Sequence, residues 1–456
     1  MLSKFGYSSG SVHEEASKVN VHGNRHRKPH KTQKGKEVMR KIRLWIVLST
    51  LGIVLLGAGA CSPAEQPKPT KPVATATLPL VDWQRPTRPI DRMSVEALHL
   101  TGILQQHQST VNAVDFSRSG TRMATVGADD QLVVWNLASG EPLIVQDGNQ
   151  GRAMFFGPED AQLVTITPTG RVDVWTINVS PPRSLELLTR FQGHVGRVTA
   201  VAHSPDRTLL AFGGVDGSVH LWRLPQGEPV AEFTAHAGTV QALAFAPNGQ
   251  SLVTVSMDRG VSLWQLPDGT LLHKFTDPEK GAVDIVPLDA AFSPDGTLLA
   301  VSTEDGVRTW DVASGKERYT IQAVQNAAAN TLTFSPDGTL LVGCGSQPLI
   351  GVWEAQSGAA LGLLPTQGEL CANVVFSPDS ALLAVMPRPG RDVYLWNLEH
   401  IHDEVPPEEK QLARVDRHAL GLPPGVRFYD VAWSPDGRFL VVLDEVGPIY
   451  VLSVAE

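Results

Sequence analysis

The chain has 456 residues and a net charge of −9, and its charge is segregated: residues 1–60 hold 11 Lys plus Arg against 3 Glu, a net of +8, which leaves −17 on residues 61–456. So acidic a main body repels phosphate and argues against nucleic acid as a partner. Three cysteines without a CxxC spacing, and the lack of H-E-x-x-H or a Gly-rich phosphate loop, argue against a zinc framework, the zinc-hydrolase signature and a nucleotide site, so no cofactor and no metal are expected.

Residues 1–38 are polar and basic and include His22, His26 and His30. They read as a disordered extension, or as sequence ahead of a true start at Met39; the run Arg25–Lys31 reads as solvated charge before it reads as a metal or nucleic-acid site. Residues 39–60 have the order of a secretory signal: basic Met39 to Arg43, apolar Leu44 to Ala60, then Cys61. Seventeen apolar or small residues also make a marginal membrane anchor. The Ala58-Gly59-Ala60-Cys61 end resembles the bacterial lipobox, although Ala58 stands where that family prefers leucine. The resemblance implies cleavage before Cys61 and acylation of its sulfur. Cleaved or retained, an apolar segment preceded by positive charge places the C-terminal remainder of the chain outside the cytoplasm, in a cell envelope. Residues 61–96, rich in Pro, Thr and Ala at Ser62 to Leu80, read as an extended tether.

From residue 97 to 456 the chain repeats itself. Trp135, Trp175, Trp222, Trp264, Trp310, Trp353 and Trp396 recur at steps of 40 to 47 residues. Upstream of each tryptophan, an apolar run closes on an aromatic or histidine and a turn, as in VDFSRSG to Gly120, LAFAPNG to Gly249, AAFSPDG to Gly296, LTFSPDG to Gly338 and VAWSPDG to Gly437; eight such units are present. Proline sets φ near −65° and glycine accepts positive φ, so each Ser-Pro-Asp-Gly joins two strands. Runs such as Ser251 to Leu266 add a second hairpin around an Asp/Gly turn, and a third turn comes after the tryptophan, giving four strands per unit.

These units resemble the WD40 repeat family through the FSPDG turn, the D-G-x-V-x-x-W segment and the preceding histidine, across roughly residues 98 to 456. The resemblance implies an all-β propeller of four-stranded blades, eight by count of units, or seven should one degenerate copy pack elsewhere. Leu98 to His107 would supply the missing fourth strand of the last blade and close the ring. The resemblance also implies a buried structural network of His, Ser or Thr, Asp and Trp. His107, Thr125, Asp129 and Trp135 complete it in unit one; His236, Thr254, Asp258 and Trp264 complete it in unit four. Unit three keeps His194, Asp216 and Trp222 but has Phe212 in the hydroxyl position. The other units lack most of it, with Thr169, Gln347 and Tyr450 in places of Asp or Trp.

A His, Thr and Asp set also has the composition of a nucleophilic triad. Here the hydroxyl is expected mid-strand and inward, and the set recurs at the repeat spacing, so it reads as structural and the protein as no enzyme. The alternative is a propeller enzyme, lactonase- or hydrolase-like, with its site in the channel; among the inner strands VNAVDF, VTAVAH, VQALAF and LDAAF, only Asp115 and Asp289 are acidic. The favoured function is a membrane-tethered, extracytoplasmic interaction scaffold that binds a protein, peptide or envelope polymer through face loops. Candidate binding residues are Arg152, Arg197, Arg259, Arg388 and Arg391. Cys344 and Cys371 read as small buried hydrophobes, with an inter-blade disulfide as the alternative. The cluster from Glu399 to Glu404 reads as part of a solvated acidic loop reaching Pro424.

Overall fold

The computed structural model describes residues 86–91, 94, 98–275, 287–303, 306–322, 329–345, 348–366, 370–388, 390, 392–398, 401, 411–416, 422 and 426–454. Within them lie eight antiparallel sheets of four strands each. Blades 1 to 7 take their strands in chain order and span residues 111–146, 153–192, 198–234, 240–275, 287–322, 329–365 and 370–416. All eight units form blades, the degenerate second one included, so the seven-blade alternative is excluded.

The eighth blade closes the ring. Its strands Phe428–Trp433, Leu440–Asp444 and Ile449–Val454 are joined by Leu98–Leu104 from the other end of the repeat region. Leu98 pairs with Val454 and Leu104 with Ile449, and the Thr101 and Ser453 hydroxyls meet at 2.5 Å across the seam. Pairing the two ends removes a sheet edge that would otherwise template aggregation. Ile90, expected from the sequence to belong to the tether, is buried among Leu382, Met386, Leu440 and Val442, and its amide donates to the Gly437 carbonyl at 2.9 Å.

The sequence dictates this stacking through its second strands. Ser251–Ser256, Leu298–Thr303 and Leu340–Gly345 are buried at every position, because both faces of a blade meet a neighbouring blade. Outer strands such as Glu228–Thr234 have no such cover and are polar and exposed along much of their length. Eight apolar clusters result among the described residues, each drawn from two adjacent blades. Aromatic pairs staple successive blades: Phe191 on Trp222, Phe233 on Trp264 and Phe275 on Trp310, with ring centroids 4.7, 4.6 and 5.5 Å apart.

The Ser-Pro-Asp-Gly turns hold themselves. In blade 5 the Ser293 hydroxyl donates to Asp295 at 2.5 Å, the Thr297 amide donates to the same carboxylate at 3.0 Å, and Gly296 takes φ +72° to complete the turn. The arrangement repeats at Ser335 with Asp337, Ser377 with Asp379 and Ser434 with Asp436.

One expectation from the sequence is corrected. Cys344 and Cys371 are not separate buried hydrophobes; they form a disulfide between blade 6 and blade 7, with Cα atoms 5.7 Å apart. The repeat explains why. Cys344 takes the place that Val126 holds in blade 1, and Val126 faces Gly151 of the next blade, where an added Cβ would lie 3.2 Å from its Cγ2. Cys371 opens its own blade, near the equivalent of Gly151, so residues 27 apart in sequence meet at an inter-blade contact.

Candidate functional site

Because the strands alternate in direction, the loop entering each blade and the turn between its second and third strands share one face of the ring. That entry face carries the histidines. In blade 1 the His107 Nε2 lies 2.8 Å from Thr125 Oγ1, His107 Nδ1 lies 3.0 Å from Asp129 Oδ1, and Trp135 Nε1 donates to Thr125 Oγ1 at 2.9 Å. Blade 4 repeats the geometry: 2.7 Å from His236 to Thr254, 3.2 Å from His236 to Asp258 and 2.9 Å from Trp264 to Thr254.

Hydrogen-bond chemistry fixes the roles within each set. Nδ1–H donates to the carboxylate, which leaves Nε2 as acceptor for the threonine hydroxyl, and the hydroxyl oxygen in turn accepts from the indole. Burial holds both histidines below their usual pKa, against the pull of the aspartates, so they are neutral near pH 7. Burial pushes the Asp129 and Asp258 carboxyls up, but the Gln108 amide and His107 in one blade, and the Ala237 amide and His236 in the other, outweigh it and hold them low. The order hydroxyl, imidazole, carboxylate matches that of a nucleophilic triad. Thr125 and Thr254 are fully buried and capped by indoles, so neither oxygen meets a substrate.

Blade 3 solves the same problem without the hydroxyl. Phe212 fills its place and presses on Gly193, where a Cβ would lie 2.4 Å from the ring. Trp222 Nε1 donates instead to the Gly193 carbonyl at 2.7 Å, and His194 Nε2 lies 2.9 Å from the Ser218 hydroxyl, which donates to Asp216 at 2.8 Å. Sequence reasoning missed a substitute in blade 2 and misplaced a residue in blade 8. In blade 2, Asn149 stands in for histidine and donates to Thr165 at 3.2 Å, while Trp175 donates to the same oxygen at 3.0 Å. In blade 8 the register puts Leu452 opposite Leu440, where Trp135 stands opposite Met123, so Tyr450, expected in the tryptophan's place, lies two residues ahead of it; its hydroxyl donates to Asp444 at 3.1 Å, and burial pushes both groups' pKa up. An Asn two residues ahead of Gly151 and an aspartate six before Tyr450 were the signals that could have found them.

The channel-side acids are committed to holding blades together. Asp115 accepts from its own neighbour Phe116 and from Phe156 of blade 2, each at 2.8 Å, with Arg207 of blade 3 at 3.4 Å. Asp289 accepts from Ala290 at 2.9 Å and from Leu332 of blade 6 at 3.1 Å; burial raises its pKa to about 6. Asp430, which sequence reasoning did not single out, accepts from Asn373 of blade 7 at 2.5 Å. Among the described residues, no group of three or more His, Cys, Asp or Glu is placed to hold a metal ion.

Of the arginines, Arg152, Arg197 and Arg259 are exposed on the entry face, on blades 2, 3 and 4. The side chain of Arg388 and the whole of Arg391 lie outside the described residues, as do Cys61 and most of the acidic loop from Glu399. Among the described residues no helix is long and apolar enough to cross a membrane.

Closed sheets, the Trp-anchored tetrads and the Ser-Pro-Asp-Gly turns define an eight-bladed β-propeller. The family model "WD domain, G-beta repeat" matches residues 98–136 and 185–223, and a domain of unknown function, DUF7165, matches residues 241–349. The chain is 28% identical over 189 residues to the small ribosomal subunit protein RACK1y of Oryza sativa subsp. japonica, covering 40% of each. It is 23% identical over 282 residues to apoptotic protease-activating factor 1 of Rattus norvegicus, covering 60% of this chain and 18% of that one. The matches thus span less than half the length of these relatives. Among solved structures, Sqt1 from Chaetomium thermophilum superposes with a TM-score of 0.64 at 21% identity, covering 78% of this chain and 99% of that one. The computationally designed Ika8 protein gives 0.60 at 21% identity, covering 77% and 98%. At such identities the structural likeness concerns the fold.

Proposed function

We propose that this protein is an interaction scaffold: a rigid ring that binds a protein or peptide through the loops on its faces, held at a membrane and displayed outside the cytoplasm. The observation that carries the binding role is the contrast between interior and loops. The groups with catalytic composition are sealed behind indoles, while the entry face exposes arginine and large apolar side chains. A solved complex of Chaetomium thermophilum Sqt1 with the N-terminus of the ribosomal protein L10 supports a peptide-binding use of this fold.

The location rests on the basic–apolar–small order ending at Cys61, and the Cys344–Cys371 disulfide supports it, since structural disulfides persist in oxidising compartments. Alkaline phosphatase fused after Val81 and expressed in a bacterial host tests the orientation. An active fusion is expected, and an inactive one refutes export. Intact mass of the membrane-extracted protein tests the anchor: a chain beginning at acylated Cys61 supports lipidation, and a chain retaining residues 39–60 supports the uncleaved form. Affinity capture from membranes with the tether intact, read by mass spectrometry, tests the scaffold role.

A further inference from the structure

The second-to-third-strand turns of blades 3 and 4 present an unusual surface. In each, an aspartate accepts from backbone amides: half-exposed Asp216 from the Ser218 amide at 3.1 Å, and Asp258 from Gly260 at 2.8 Å and from Ala237 at 2.9 Å. The residue just before each aspartate is consequently aimed outward, and here it is large and apolar: Val215 is 42% exposed and Met257 58%. Blade 1 has Ala128 at that position, with Asp129 and Asp130 after it, so the repeat alone does not require the feature.

Backbone hydrogen bonds make these residues one continuous surface. The Val215 amide donates to the Arg197 carbonyl at 3.2 Å, the Thr239 hydroxyl donates to the Val215 carbonyl at 3.3 Å, and the Met257 amide donates to the Thr239 carbonyl at 3.0 Å. Val195, 79% exposed in the loop ahead of blade 3, extends the surface at one end, and Arg259 at the other. Isolated exposed apolar residues are ordinary. Three on two adjacent blades, flanked by exposed Arg197 and Arg259 with Arg152 on the next blade, form an apolar strip with a cationic margin. The strip sits on a body carrying −17 over residues 61–456. Between them, Asp258 is taken up by His236 and the Ala237 and Gly260 amides, while Asp216 binds the Ser218 amide and hydroxyl and stays half-exposed beside Val215.

Resting on the scaffold reading above, we infer that this strip docks an extended peptide segment of a partner protein that combines acidic with large apolar side chains. Val195, Val215 and Met257 receive its apolar residues, and Arg197 and Arg259 pair with its carboxylates. Complementary charge is what selects this occupant over a basic or neutral one, since like charges across an interface penalise the wrong partner. The surrounding negative body repels an acidic segment elsewhere, which confines its docking to the cationic margin.

The test is selection of a displayed library of random dodecapeptides on the immobilised full chain, then anisotropy titration of the enriched peptides. The variants are Val195→Asp/Met257→Asp and Arg197→Glu/Arg259→Glu; all four side chains are exposed, so melting curves matching the wild type are expected to certify folding. Enriched peptides should be rich in Asp or Glu together with Leu, Ile, Phe or Met. Their affinity should fall about tenfold or more in each double variant and weaken as salt is raised. Basic or neutral enriched peptides, or acidic ones that bind both variants as well as wild type, overturn the docking strip and leave the scaffold reading standing with its site elsewhere. No enrichment at all overturns the strip and counts against the scaffold reading too.

Discussion

Replacing Thr254 by valine removes one oxygen while keeping the side chain's shape, and the geometry around that oxygen defines its role. It accepts from Trp264 Nε1 at 2.9 Å and bonds His236 Nε2 at 2.7 Å, all of it buried. The variant therefore strands two polar groups at about 1–3 kcal/mol each, a loss of about 2–6 kcal/mol. For a ring of this size, unfolding entropy of roughly 2.1 cal/mol/K per residue converts that to a fall in Tm of roughly 3–8 °C, readable by calorimetry. The companion variant His236→Ala removes one of the stranded groups, so the two changes should not add: the double variant is expected to lose less than the sum of the singles. Thr125→Val should behave alike, because blade 1 has the same geometry. A Thr254→Val protein that melts with the wild type, or additive losses in the cycle, would refute the account of Thr254 as the hub of a satisfied network.

Three further outcomes are expected from the same geometry. Reducing the Cys344–Cys371 bond, or replacing both cysteines by alanine, should destabilise the ring by about 3–4 kcal/mol from the released loop entropy, and mass spectrometry after alkylation of the unreduced native protein should find neither sulfur labelled; free thiols in material recovered from its native compartment would contradict the assignment. Buried His203, stacked on Phe155, has its pKa lowered by desolvation to about 4; a depressed histidine contributes stability that is present above its unfolded pKa near 6.5 and is lost as pH falls toward 4, about 3 kcal/mol in all. Six of the seven other blades have phenylalanine at that position, for example Phe245 and Phe292, so His203→Phe should flatten the fall of Tm over that window, and an unchanged pH profile would show that His203 does not drive it. Deleting residues 98–104 should expose the edge of Ile449–Val454 and lead to aggregation, which light scattering reads; a monomeric, equally stable deletion product would show that the seam contributes nothing.

The repeat was legible because it recurs where physics allows few choices. Glycine at φ +72° after Pro-Asp, and tryptophan in a third strand needing both an acceptor and a flat surface, survive comparison among copies within the one chain. Eight blades and the donation of Leu98–Leu104 to the last were legible on the same grounds, since an unpaired edge is costly. What stayed hidden were substitutions that keep a bond while changing its donor or its acceptor. Asn149 replaces histidine, and the Gly193 carbonyl replaces a threonine hydroxyl. Each is invisible to a residue-by-residue match, because the buried indole or hydroxyl specifies an acceptor and not a residue type.

Cys344 and Cys371 illustrate the other limit. Position by position each looks like a hydrophobe, and that is how the neighbouring blades use the equivalent sites, with Val126 against Gly151. Only the offset between consecutive blades, which places one blade's second strand beside the next blade's first, turns two unremarkable cysteines into a pair. The same offset carries Asp115 to the Phe156 amide, Asp289 to the Leu332 amide and Asn373 to Asp430. Within a blade, then, the sequence repeat is a direct guide to contacts. Between blades it has to be read one unit out of phase, and the polar residues that break the repeat at the channel are there because that second register demands partners from the adjoining blade.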